Sequence, residues 1–143
     1  MKSIRRKAHV PYTAAQMFDL VNDVEAYPTF LPWCEKATVH YSSADQVEAT
    51  LHVGAGGLGK RFSTRNRLDR PRCIDMELLE GPFREFTGGW RFEDVAGGSC
   101  DVALALDFEM SSLPLKLVFE TLFEELVRSQ MDAFITRAGE VYE

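Results

Sequence analysis

Several chemistries are missing from this 143-residue sequence. The three cysteines, Cys34, Cys73 and Cys100, stand far apart with no C-x-x-C pair. An odd thiol left over argues against a disulfide framework, so reduced thiols, buried or half-buried, are expected. His9, His40 and His52 lack metal-ligand spacing and fall on the polar side of their strands, so no metal is assigned. Nucleophile signatures such as G-x-S-x-G are absent. No apolar run is long enough to span a bilayer, and the basic start MKSIRRKAHV lacks the apolar stretch of a signal peptide, so a cytoplasmic protein is expected. No repeat, linker or low-complexity segment breaks the chain, and a single domain over residues 1–143 is expected.

One further absence is a single hydroxyl. GAGGLGKR, Gly54 to Arg61, matches the phosphate-loop pattern G-x-x-x-x-G-K-[ST] except that Arg61 stands where a hydroxyl must ligate Mg²⁺. Beyond Arg61 the residues alternate as in a strand rather than a helix, which removes the nucleotide reading. The segment is read instead as a hairpin turn whose glycines permit a sharp reversal.

What is present is the composition of a globular protein, 45% hydrophobic and 27% charged, which excludes disorder. The net charge of −6 is unevenly spread: residues 1–72 carry 11 Lys/Arg against 7 Asp/Glu, and residues 73–143 carry 5 against 15. A basic first half can meet phosphates that the acidic second half repels, although solvated strand faces also account for it.

Alternation predicts a strand over residues 2–10, and Thr13 with Gln16 forms a capping box for a helix carrying Met17, Leu20, Val21 and Val24. Pro28 and Pro32 confine any subsequent helix to a short turn. Period two then governs: Ala37, Val39 and Tyr41; Val47, Ala49, Leu51 and Val53; Phe62, Thr64, Asn66 and Leu68; Ile74, Met76 and Leu78; Phe86, Trp90 and Phe92; Cys100 to Met110. The connectors DRPR, EGPFR and AGGS are short, so these six strands form an antiparallel meander with the first strand joining an edge. From Leu115 an apolar stripe runs at helical spacing through Phe119, Leu122, Leu126, Phe134, Ala138 and Val141, widened by Val118, Phe123, Val127, Met131 and Ile135. A helix of about 25 residues would be nearly 40 Å long. One helix covers seven strands, spaced about 4.8 Å apart, only if the sheet curls around it, and curling leaves a space between them.

VPYTAAQMFDLVNDVEAYPTFLPWC, GLGKRFSTRNRL, LLEGPFREFTGGWRF and the ending DAFITRAGEVY resemble the START-like, helix-grip superfamily, within it the polyketide cyclase-like subfamily of coenzyme Q-binding proteins and ribosome-association toxins. The likeness covers nearly the whole chain. It implies an α+β fold: a seven-stranded curved antiparallel sheet wrapped around a long C-terminal helix, with two short helices between strands 1 and 2. It also implies a noncatalytic protein holding ubiquinone or a similar polyprenyl lipid in its cavity and supporting respiration, with no cofactor required. The alternative is a toxin that binds the large ribosomal subunit and blocks subunit joining. A cyclase-type enzyme is the least favoured of the three, and DNA is not expected as a partner.

For the ligand reading, Tyr27, Phe30, Leu31 and Trp33 lie between or beside prolines, and Phe83 is expected in a turn, positions from which aromatic groups gate a cavity or meet a quinone ring. Phe62, Trp90, Phe119, Leu122, Phe123 and Leu126 complete the apolar lining, worth about 0.8 kcal/mol per buried CH₂ of an isoprenoid. Ordinary core packing explains any one of them equally well. Thr64 and Asn66 share the inward face of Phe62 and Leu68, where they can bond a quinone carbonyl, a water, or solvent at a strand end. For the ribosome or a peripheral membrane contact, Lys60, Arg61, Arg65, Arg67, Arg70 and Arg72 place six cations in thirteen residues, opposed only by Asp69, with Lys2, Arg5, Arg6 and Lys7 as an extension. No catalytic residue is assigned. Asp107 and Glu109 fall on the outward face of the last strand, a poor place for paired acid–base work.

Overall fold

The structure, a computed structural model, describes residues 1–55 and 58–142. Seven strands form one antiparallel sheet: β1 (Lys2–Val10), β2 (Cys34–Ser42), β3 (Gln46–Ala55), β4 (Leu58–Asp69), β5 (Cys73–Glu80), β6 (Phe83–Val95) and β7 (Ser99–Met110). Their order is β1-β7-β6-β5-β4-β3-β2, the expected meander with β1 closing on β7. Between β1 and β2 lie α1 (Ala14–Asn22) and a 3₁₀ segment, Val24–Thr29, that carries Pro28. After β7 come α2 (Leu113–Val118) and α3 (Glu120–Tyr142).

The first helix starts as its capping box requires. The Gln16 amide donates to Thr13 Oγ1 at 3.1 Å, and the Thr13 amide donates to Gln16 Oε1 at 2.9 Å. The β6–β7 turn holds Gly97 and Gly98 at φ of 91° and 76°, a backbone that side-chain-bearing residues resist. β3 and β4 pair through to Ala55 and Leu58, whereas the expected glycine reversal at Gly56 and Gly57 lies outside the described residues.

Three expectations need correction. Tyr41 is half exposed rather than on the inward face with Val39. The register shifts between them, pairing Val39 with Ala49 but Tyr41 with Glu48, so the extra residue turns Tyr41 outward. Phe83 is not in a turn. It opens β6, pairs with Met110, and packs among Phe62, Phe86, Phe108 and Phe123 at centroid distances of 5.0–6.1 Å. Finally, the long C-terminal helix is present as the 23-residue α3 but begins at Glu120 rather than Leu115, with the residues before it forming the separate α2 and Phe119 between them at φ −107° and ψ −27°, away from the helical mean. Val118 and Val141, expected on the apolar stripe, are exposed. The buried line of α3 is Phe123, Val127, Met131, Phe134 and Ala138, at steps of three and four.

Candidate functional site

The inward face of β4 presents Phe62, Thr64, Asn66 and Leu68 toward α3, while β6 brings Phe86 and Trp90 and β7 brings Leu104 and Leu106. All of these except Leu68, together with α3, line a cavity of about 70 Å³. Its wall includes eight of the thirteen residues expected as ligand contacts: Tyr27, Trp33, Phe62, Thr64, Asn66, Trp90, Phe123 and Leu126. The other five sit elsewhere. Phe30 packs on Phe134 at 5.5 Å and lies under the Arg137 guanidinium at 5.2 Å. Leu31 is core, Phe119 stacks on Phe123 at 5.9 Å behind the wall, Leu122 is half-buried, and Phe83 belongs to the phenylalanine cluster of β6.

The wall also holds Val24, Ala49, Leu51, Met76, Val127 and Gln130. The aliphatic ones belong to the predicted inward stripes, where nothing in the sequence marks them from the rest of the core. Gln130 is the informative addition, because a polar side chain beside the Val127 and Met131 stripe faces the sheet where an outward position was the default.

Polar groups in the cavity are few. Thr64 and Asn66 are 8% and 9% exposed, and Asn66 Oδ1 is buried with no hydrogen-bond partner among the described residues. Tyr27 is different: its hydroxyl donates to the Val21 carbonyl, and burial pushes its pKa well above the ordinary phenol range. It therefore holds the 3₁₀ segment against α1 and has no proton to exchange near neutral pH. No histidine, carboxylate or lysine lines this cavity among the described residues. At about 70 Å³, roughly half of the ~150 Å³ of a cavity that admits benzene, this space takes a quinone ring only when flexible wall residues such as Met76, Leu126 and Gln130 move aside.

The basic run is largely matched by carboxylates. Arg65 meets Glu48 at 2.9 Å and Glu77 at 3.6 Å, Arg67 meets Glu77 at 3.6 Å, and Arg61 meets Glu80 at 3.9 Å. Arg70 forms two hydrogen bonds of 2.8 Å with Asp19, and Arg72 reaches Asp69 at 2.7 Å. Lys60 has no carboxylate partner among the described residues. Strand pairing brings these acids alongside: β3 and β5 flank β4, so Glu48 and Glu77 lie directly opposite Arg65.

The remaining polar clusters face away from the cavity. His9 Nδ1 lies 2.8 Å from Asp101, and His40 Nε2 lies 2.7 Å from Thr50 Oγ1, which in turn meets Ser63 Oγ at 2.6 Å. Asp107 accepts from Ser3 at 2.6 Å and from Arg5, and these bonds hold its carboxyl below the usual range. Among the described residues no three His, Cys, Asp or Glu side chains converge as metal ligands. No helix among them is long and apolar enough to cross a membrane.

A profile for the family described as polyketide cyclase / dehydrase and lipid transport matches residues 10–135. The ribosome association toxin RatA of Escherichia coli K12 is 42% identical over 142 residues, covering 99% of this chain and 90% of that protein. The mitochondrial coenzyme Q-binding protein COQ10 homolog B of Xenopus laevis is 28% identical over 92% of this chain and 55% of that one. Among solved structures, the ZhuI aromatase/cyclase of Streptomyces superposes with a TM-score of 0.88 at 19% identity, covering 99% and 96% of the two chains, a likeness of fold.

Proposed function

The chain belongs to the polyketide cyclase / dehydrase and lipid transport family, and on that footing we propose that it is a noncatalytic binder of a hydrophobic ligand, a prenylquinone or similar polyprenyl lipid. The observation that carries this reading is the Asn66 side chain: a buried amide oxygen with no partner among the described residues, in a cavity that apart from Thr64 and Gln130 is walled by aliphatic and aromatic groups. Leaving a buried polar atom unpaired costs about 1–3 kcal/mol, so an apolar residue would serve a purely structural core better. A head in the hydroquinone form donates an O–H to Asn66 Oδ1, and its oxygens accept from the Thr64 hydroxyl and the Gln130 amide, while the apolar wall receives the start of the tail. Absence of a general acid or base from the described wall supports binding over turnover.

Organic extraction of protein purified from a quinone-producing host, with mass spectrometry of the extract, tests the proposal. A prenylquinone is expected in the wild-type extract and should be lost from Asn66→Leu, which should fold at least as stably. Wild-type protein with an empty cavity would sink it.

A second reading has its own support. Identity of 42% to a protein named as a ribosome association toxin extends over 99% of this chain, which makes association with the ribosome the alternative activity. Its signature is a sucrose-gradient profile shifted toward free subunits on overexpression. An unchanged profile would remove it.

A further inference from the structure

Hydrogen-bonding groups on the cavity wall are unequal in what they ask of a ligand. The Thr64 hydroxyl, the Gln130 amide and the indole N–H groups of Trp33 and Trp90 are donors. Tyr27 offers no proton, because its hydroxyl is already committed to the Val21 carbonyl. Asn66 Oδ1 can only accept, and nothing among the described residues donates to it.

Strand register shows why no donor arrives. Directly opposite Asn66 on the inward face stand Val47 of β3 and Met76 of β5, neither of which carries an O–H or N–H on its side chain. Thr64 and Leu68, two positions along β4 in either direction, are about 7 Å away. The neighbouring side chains of the sheet therefore leave this oxygen unsatisfied, and a partner has to come from the side of α3, where the cavity lies.

A quinone and its hydroquinone differ at this one contact. Both forms have oxygens that accept from the donors of the wall, whereas only the hydroquinone carries O–H groups to give. Set against Asn66 Oδ1, a quinone carbonyl brings lone pairs to lone pairs and leaves the amide oxygen buried and unpaired. An acceptor left without its donor in a buried site lowers affinity about tenfold or more.

We propose that Asn66 makes this site selective for the hydroquinone, the two-electron-reduced form of a prenylquinone, over the quinone. The proposal rests on the reading that the cavity takes a lipid of this class. By linkage, a tenfold preference raises the midpoint potential of the bound couple by about 30 mV.

Anaerobic titration of the protein with a ubiquinone bearing two isoprene units, and with the same compound reduced to its hydroquinone, tests the selectivity through quenching of Trp33 and Trp90, which both line the cavity. The hydroquinone should bind tighter by about tenfold or more. Asn66→Leu should lower the affinity for the hydroquinone to that for the quinone, bringing the ratio to about one, with a thermal midpoint at least as high as that of the wild type. Thr64→Val removes a donor that serves both forms, so it should weaken both alike and keep the ratio. A merely structural role for Asn66 would leave the ratio unmoved. Equal binding of the two forms by wild-type protein, or a ratio that Asn66→Leu leaves intact, would overturn the selectivity while the prenylquinone reading stands. Tighter binding of the quinone would also overturn it, since Asn66 would then present Nδ2 rather than Oδ1 to the ring oxygen. Failure of both forms to bind would sink the prenylquinone reading and the selectivity with it.

Discussion

At the scale of single residues, solvent access decides what each group can do. Burial pushes the Cys34 and Cys100 thiols up to about 11, whereas Cys73 is half-buried. A thiol held above its unfolded value of about 8.5 is favoured in its neutral form by folding. The stability this confers is complete below the unfolded value and is lost as pH rises through about 11. Native protein treated with iodoacetamide at pH ~8 should therefore be alkylated at Cys73 first, with Cys34 and Cys100 reacting only as the solution becomes strongly alkaline. Peptide mapping reads the order, and early modification of Cys34 would contradict it. Cysteine spacing predicted reduced thiols, but it held no information about which thiol is shielded. Asn66 shows the same limit. Its inward position was legible from alternation with Phe62 and Leu68, whereas its missing partner depends on which side chains arrive from other strands and from α3.

Among the elements, β6 is the one whose sequence leaves least freedom. A Cβ at Gly88 would sit 2.3 Å from the Ala105 carbonyl oxygen, and one at Gly89 would sit 2.3 Å from that of Ile74. Backbone atoms cannot yield as a flexible side chain can, so β7 and β5 approach β6 this closely only because both positions lack a Cβ. Gly88→Val should cost about 2–3 kcal/mol, read as a lower urea midpoint. Gly59→Ala, where a Cβ meets nothing within 4 Å, should leave the midpoint unchanged. Equal effects would mean that the close approach at β6 is not what constrains it. Strand order was legible because the connectors are short enough to enforce hairpins. The break between α2 and α3 at Phe119 was not, since apolar spacing reports which face of a helix is buried and is silent on where the helix is interrupted.

Across the whole molecule the balance of charge differs from the linear sequence. Six cations from Lys60 to Arg72 face one acid in the chain, yet in the fold Glu48, Glu77 and Glu80 of the sheet and Asp19 of α1 come alongside the arginines. Exposed pairs of this kind add little stability, but each arginine already in a pair has less to gain from a phosphate. Should the protein sediment with ribosomes, its affinity is expected to vary shallowly with salt, with a log–log slope of about −1, as Lys60 alone would give, rather than about −4 to −5. Sedimentation over a series of salt concentrations measures that slope, and a steep one would return the arginine run to the role of phosphate contact. The sequence by itself determined the strands, their antiparallel meander, the inward face of β4 and the likeness to the helix-grip family, because periodicity, turn residues and short connectors act over a few neighbouring positions. Tertiary structure alone decided the cavity's small volume, the unpaired amide within it and the pairing of the arginines. Those features depend on distances between residues far apart in the chain, which only packing and strand register set.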